Sequence, residues 1–138
     1  MKGFIQYEEG VSILRMELNS REPVYIQVIR YFKERIASGV LEPGTEIPSR
    51  RELANTLKIN PNTVQRAYKE MEELGLIYTE GNLPSKVTTN EKIIQEAKDA
   101  LLQDAVISFV STIETLQIPL KDVIPMLETH YEGGEKDD

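Results

Sequence analysis

The stretch Ser49-Arg50-Arg51-Glu52-Leu53-Ala54-Asn55-Thr56-Leu57-Lys58-Ile59-Asn60-Pro61-Asn62-Thr63-Val64-Gln65-Arg66-Ala67-Tyr68 decides the fold. It reads as two short helices joined by a tight turn. Ser49 stands three residues before Glu52, the spacing of a capping box, in which hydroxyl and carboxylate each accept from the other residue's backbone N–H. Leu53, Ala54 and Leu57 supply the apolar face of the first helix. Lys58-Ile59 makes the turn. Asn60-Pro61 opens the second helix as N-cap and first helical residue, where proline's preset φ fits and its missing N–H costs nothing. Val64, Ala67, Tyr68 and Met71 form the inner face of that helix, and Gly75 closes it.

Working outward, Tyr25, Ile29, Phe32 and Ile36 recur at helical spacing, and Gly39 suits a left-handed cap. Pro43-Gly44 fits the centre of a type II turn. Further upstream, Leu14, Met16 and Leu18 alternate with Ile13, Arg15 and Glu17, a strand period, before Asn19 to Pro23 interrupts. Downstream, Leu76 to Thr79 and Lys86 to Thr88 flank Glu80 to Ser85, which predicts a small hairpin. From Asn90 to about Gln117 the pattern is helical. Ile94, Ala97, Leu101, Ala105 and Phe109 make one stripe, widened by Leu102, Val106, Ile113 and Leu116. Pro119 interrupts, a last short helix is expected over Lys121 to Tyr131, and Glu132 to Asp138 reads as a frayed acidic tail. The expected fold class is mainly α with a small β wing. An N-terminal β extension occupies 1–22, a winged helix-turn-helix 23–89, and a two-helix dimerisation appendage with an acidic tail 90–138.

Composition narrows the chemistry. The chain has 138 residues, no cysteine and a single histidine, His130. That excludes disulfides, thiolate metal sites and cysteine nucleophiles, and leaves no partners for a histidine triad or a zinc cluster. No metal and no cofactor is expected. Runs of the ~20 apolar residues that cross a bilayer are absent, and residues 1–10 lack the order of a secretory signal, so the expected setting is cytoplasmic with no membrane partner.

The net charge of −7 conceals an uneven distribution. Residues 1–20 carry 2 basic and 3 acidic side chains, residues 21–69 carry 9 and 5, and residues 70–138 carry 5 and 15, so the segments hold −1, +4 and −10. A locally basic segment can hold phosphate beside a distant acidic one, because salt screens exposed charges beyond about 10 Å.

In a winged helix-turn-helix the second helix of the pair enters the DNA major groove. Opposite its inner face stand Asn62, Thr63, Gln65, Arg66 and Lys69. Asn and Gln pair bidentately with adenine and Arg with guanine, while Thr suits base edges or phosphate. The asparagine-capped N-terminus adds free N–H groups and a positive dipole end. Arg50 and Arg51 lie in the first turn of their helix, where cations oppose the macrodipole by roughly 0.3–1 kcal/mol each. A phosphate against that turn reverses the sign; pairing of an arginine with Glu52 or Glu46 is the alternative.

Pro23-Val24-Tyr25-Ile26-Gln27, Gly39 to Gly44, Ile47 to Ala54, Asn60 to Tyr68 and Leu74-Gly75-Leu76-Ile77 follow one another in an order that resembles the N-terminal domain of GntR-type transcriptional regulators. The resemblance implies DNA contacts by Arg51, at the arginine of the family's Pro-Ser-x-Arg signature, and by Asn60, Asn62, Thr63 and Gln65 at its recognition-helix positions. Ser49, Arg50, Arg66 and Lys69 complete the expected DNA-binding set, with Gly81 and Asn82 at the wing tip. The wing departs from the family's basic Gly-x-Gly-Thr-Phe-Val type of tip, since Glu80 to Val87 holds one glycine beside an acid, which weakens minor-groove readout.

After Val87 only 51 residues remain, too few for the large effector domains of other branches. The short tail resembles the YtrA-like branch, whose tail mainly dimerises. The apolar stripe independently calls for a partner surface, because so small a domain cannot cover it. Ile94, Leu101, Leu102, Ala105, Phe109, Ile113 and Leu116 are the expected dimerisation residues; folding of the stripe back onto the winged domain is the alternative. A homodimer on double-stranded DNA would set two recognition helices roughly 34–36 Å apart, matching an inverted repeat. Phe109, Met126, His130 and Tyr131 could line a site for an unknown small-molecule effector or serve as core. The function expected is a dimeric transcriptional regulator, most often a repressor in such families. A winged-helix module that binds protein is the competing reading, and an enzyme is set aside for want of any nucleophile–base set, phosphate loop or metal cluster.

Overall fold

Side-chain capping marks where two helices of the basic segment, the pair after Pro48, begin. In the computed structural model, which describes residues 2–6 and 13–136 and the side chains from 16 to 133, α1 spans Val24–Ser38, α2 Arg50–Leu57 and α3 Pro61–Glu73. Ser49 Oγ accepts from the Glu52 N–H at 3.1 Å, and Glu52 Oε1 accepts from the Ser49 N–H at 3.3 Å, so the predicted capping box is formed. Asn60 Oδ1 accepts from the Asn62 N–H at 2.8 Å, with Pro61 at the first helical position. Lys58, at φ 55°, makes the turn between α2 and α3.

Gly75 ends α3 in the left-handed region at φ 79°. Its N–H reaches Glu72 O at 3.0 Å while the Leu76 N–H reaches Met71 O at 2.9 Å, which satisfies two carbonyls of the last turn in a Schellman motif. The chain then enters β3 (Ile77–Tyr78), which pairs antiparallel with β4 (Lys86–Val87) through Ile77↔Val87 and Tyr78↔Lys86. A bridge from Glu46 to Lys86 and a bond from the Ile47 N–H to Ser85 O, 2.9 Å, tie this wing to the segment before α2. Before α1, β1 (Lys2–Gln6) and β2 (Ile13–Glu17) form a separate antiparallel pair, as the period-two alternation predicted for part of this region; the expected side-chain alternation at 13–15 lies outside the described side chains.

Two compact units make up the chain, 1–99 and 100–138. The core of the first is one cluster in which Phe32, Leu41, Leu53, Val64, Tyr68 and Met71 are fully buried and Leu57, Leu76 and Ile77 nearly so. Burying each such side chain stabilises the fold by roughly 1.5–3 kcal/mol. Tyr68 is the largest of these, and its hydroxyl donates to Pro48 O at 2.7 Å, so α3 is bonded through the core to the residue before the α2 cap. Phe32 meets the Tyr68 ring edge-on at 6.0 Å. Gln27 is buried and fully used: its Oε1 accepts from the Asn19 N–H, and its Nε2 donates to Asn19 O and Glu22 O. Beside it, Arg30 pairs with both carboxylate oxygens of Glu22, which holds that carboxyl below its ordinary range and lifts the guanidinium above its own.

α4 spans Glu91–Thr115, close to the predicted range, and its first turns pack Ile93, Ile94 and Ala97 against the core of the first unit. Gln117, at φ 57°, closes α4 with bonds from its own N–H to Glu114 O and from the Ile118 N–H to Ile113 O, both 3.0 Å. α5 spans Leu120–Lys136. It is longer than the short helix expected from the sequence and absorbs part of the presumed acidic tail. Pro125 lies inside it, where the lost N–H bond does not end the helix. In the second unit Ile113 and Val123 are buried, while Leu102, Val106, Phe109, Val110, Ile124 and Leu127 stay exposed.

Candidate nucleic-acid interface

The helical period divides α3 into a buried face and a polar face. Val64, Ala67, Tyr68 and Met71 point into the core. Asn62, Gln65 and Lys69, at i, i+3 and i+7, share the opposite face and are exposed. Thr63 flanks them, half-buried. Across a cleft of about 300 Å³ lie the residues of α2: Arg50, Arg51, Ala54 and Asn55 line it together with Pro61, Asn62 and Gln65. The structure thus brings Arg51, Asn62 and Gln65 to one opening. Among the described residues none of these three side chains, nor that of Lys69, is engaged in a hydrogen bond or ion pair.

Other members of the expected set have structural employment. Ser49 and Asn60 serve as N-caps, and their side-chain oxygens are bonded within their own helix starts. Arg66 lies over the Tyr25 ring at 3.7 Å, donates to the Tyr25 hydroxyl at 2.9 Å and sits 3.7 Å from Glu70. It joins α3 to α1. Arg50 donates through Nη2 to Glu72 Oε1 at 2.6 Å and lies 5.0 Å from the Tyr68 ring centre. Its partner is therefore neither Glu52 nor Glu46, the two acids that sequence proximity suggests, but one 22 residues away.

Asn55 was not apparent from sequence reasoning. Its signal was its place four residues after Arg51, on the same outer face of α2. At the wing, Gly81 takes φ 55° and Asn82 is exposed, with the turn held by a bond from the Leu83 N–H to Glu80 O at 3.0 Å. A second cleft of about 300 Å³ runs between this tip and the α2 start, lined by residues that include Ser49, Arg50, Thr79, Asn82 and Ser85. Of the expected dimerisation residues, Ile94 packs on the core of the first unit, Leu101 is half-buried and Ile113 is buried, whereas Leu102, Ala105, Phe109 and Leu116 are exposed.

Among the described residues no helix is long and apolar enough to cross a membrane, and no group of three or more histidine or acidic side chains could hold a metal. What the arrangement offers is an unpaired cation at a helix start, two amides and a lysine on one face, and a short hairpin beside them. That is the equipment for phosphate and base-edge contacts.

The family model described as bacterial regulatory proteins, gntR family, matches residues 24–87. The chain is 33% identical over 118 residues to the helix-turn-helix transcriptional regulator YhcF of Bacillus subtilis, covering 86% of this chain and 98% of that protein. It is 30% identical over 130 residues to the transcriptional repressor YtrA of the same organism, covering 91% and 100%. A solved GntR family transcriptional regulator from Listeria monocytogenes superposes with a TM-score of 0.75 at 30% identity, over 81% of this chain and 98% of that one. Near-complete coverage of short regulators includes the helical tail as well as the winged domain, so the chain belongs to the gntR family of bacterial regulatory proteins and is a YtrA-like helix-turn-helix transcriptional regulator rather than an enzyme.

Proposed function

We propose that the chain binds an inverted-repeat operator as a homodimer, reads it with the exposed face of α3, and represses transcription in the cytoplasm. The observation that carries this reading is the division of labour on α3 and α2. Arg66 and Arg50 are held by protein partners, while Arg51, Asn62 and Gln65 are unengaged around one cleft and Lys69 is unengaged on the same face of α3. Stability does not call for this: an unpaired Arg51 at a helix start opposes the dipole. It becomes favourable when a phosphate sits there. Asn62 and Gln65 then have amide groups that suit adenine N6 and N7.

The exposed apolar side chains of 100–138 support the dimer. Leu102, Val106, Phe109, Ile124 and Leu127 belong to one small unit in which, among the described residues, only Ile113 and Val123 of the large hydrophobic side chains are buried. A second copy covers such a surface with two-fold symmetry, which is also the symmetry of an inverted repeat. Repression is supported by the relative YtrA, which is a transcriptional repressor.

Selection from a random duplex pool at near-physiological salt tests this, followed by transcription in vitro from a promoter that carries the selected site. The expected result is a palindrome with half-sites one helical turn apart and less transcript as protein is added. Recovery of featureless DNA by a folded dimer would overturn the operator reading and favour a protein partner for the winged domain. More transcript would overturn repression alone.

A further inference from the structure

Of the two interface arginines held by protein partners, Arg50 has the more elaborate anchorage. Arg50 sits in the first turn of α2 and reaches Glu72, in the last turn of α3, at 2.6 Å. The same oxygen, Glu72 Oε1, accepts from Thr79 Oγ1 at 3.2 Å, just beyond β3. Thr79 Oγ1 in turn shares a hydrogen bond of 2.5 Å with Ser85 Oγ, a buried hydroxyl at the foot of β4. Arg50 Nε is buried with no hydrogen-bond partner among the described residues, so the guanidinium is turned inward over Tyr68. One carboxylate therefore joins the start of α2, the end of α3 and both sides of the wing.

We propose that Glu72 is a positioning residue that sets the DNA specificity of this regulator: it withholds Arg50 from the DNA backbone and fixes the wing against the helix pair. The inference rests on the DNA reading given above. Phosphate contacts add affinity for every sequence alike, whereas base contacts discriminate. An arginine released at the α2 start would add one sequence-independent contact beside Arg51 and so dilute discrimination. Glu73, the next residue, is an exposed acid without a partner among the described residues. It carries the same charge without the connections.

The test compares Glu72→Ala with Glu73→Ala in the full-length protein, by fluorescence anisotropy on the selected operator and on a scrambled duplex at several salt concentrations. Each phosphate neutralised contributes about −0.9 to the slope of log K against log salt. Glu72→Ala is expected to steepen the slope on scrambled DNA by about 0.9 per bound protomer beyond any change in Glu73→Ala, tighten scrambled binding and lower the operator-to-scrambled ratio. Adding Arg50→Ala to Glu72→Ala should remove the extra slope. Thr79→Val, which cuts only the wing connection, should lower discrimination at base pairs next to the wing without steepening the slope. Equal slopes and equal ratios for Glu72→Ala and Glu73→Ala would overturn the proposal while leaving the DNA reading intact. Absence of salt-dependent binding by the unmodified protein would sink the DNA reading itself. If Glu72→Ala does not fold, Glu72→Gln against Glu73→Gln makes the same comparison, because glutamine keeps the acceptor but loses the charge that retains Arg50.

Discussion

Replacing Leu102 by alanine should separate the proposed dimer into monomers at concentrations where the parent chain stays paired. Leu102 retains 64% of its surface exposed in the single chain. Fully burying a leucine is worth roughly 1.5–3 kcal/mol, so covering the remaining two-thirds is worth about 1–2 kcal/mol. A two-fold axis repeats the side chain, which doubles the loss to about 2–4 kcal/mol per dimer. At 1.4 kcal/mol per factor of ten, the dissociation constant should rise between about 30-fold and about 10³-fold. Sedimentation equilibrium across a concentration series measures it directly. Gln103→Ala, on a neighbouring exposed position, is the control and should leave the constant within a few-fold of the parent. Because Leu102 lies outside the core of the first unit, DNA binding by the separated monomers should persist at reduced affinity for a single half-site. An unchanged dissociation constant for Leu102→Ala, or a parent chain that is monomeric throughout the micromolar range, would refute the assignment of this surface to a second copy.

Arg51→Ala should weaken binding to all duplexes and flatten the salt slope by about 0.9 per half-site, whereas Gln65→Ala should relax preference at one base pair per half-site by about 1–3 kcal/mol; anisotropy titrations on single-substituted operators distinguish the two. Tyr68→Phe deletes a fully buried hydroxyl and strands Pro48 O, which should cost about 1–3 kcal/mol in urea unfolding without changing the slope of the transition. Acidification should remove the contribution of the Glu22–Arg30 pair. The native pKa of Glu22 lies below its ordinary 4.5, so that contribution is complete above 4.5 and disappears as pH falls through the lowered native value. Glu22→Gln should therefore be less stable than the parent at neutral pH and match it in strong acid, as followed by thermal unfolding.

Local chemistry made much of this protein legible before any coordinates. The Ser49–Glu52 capping box, the Asn60-Pro61 helix start, the left-handed closures at Gly39 and Gly75 and the inner face of Val64, Ala67, Tyr68 and Met71 depend on residues a few positions apart, and all are present. The wing strands were equally readable from short apolar runs around a turn. The length of α5 was not, because Pro125 and two glycines argue locally against a helix that other forces sustain. Nor was the employment of the arginines. Arg50 and Arg66 look from the sequence like neighbours of Arg51 in one basic face, yet Arg50 pairs with an acid 22 residues away and Arg66, beside its local Glu70, bonds a tyrosine 41 residues away. Which cation is spent within the fold and which remains for a ligand depends on where distant carboxylates and rings arrive when the core closes. The sequence by itself determined the helix starts, the turns and the polar face of α3. Only the tertiary structure decided that Arg51 stands unpaired, that Glu72 holds Arg50, and that the wing hangs from the same carboxylate, because pairing across helices is set by packing rather than by spacing along the chain.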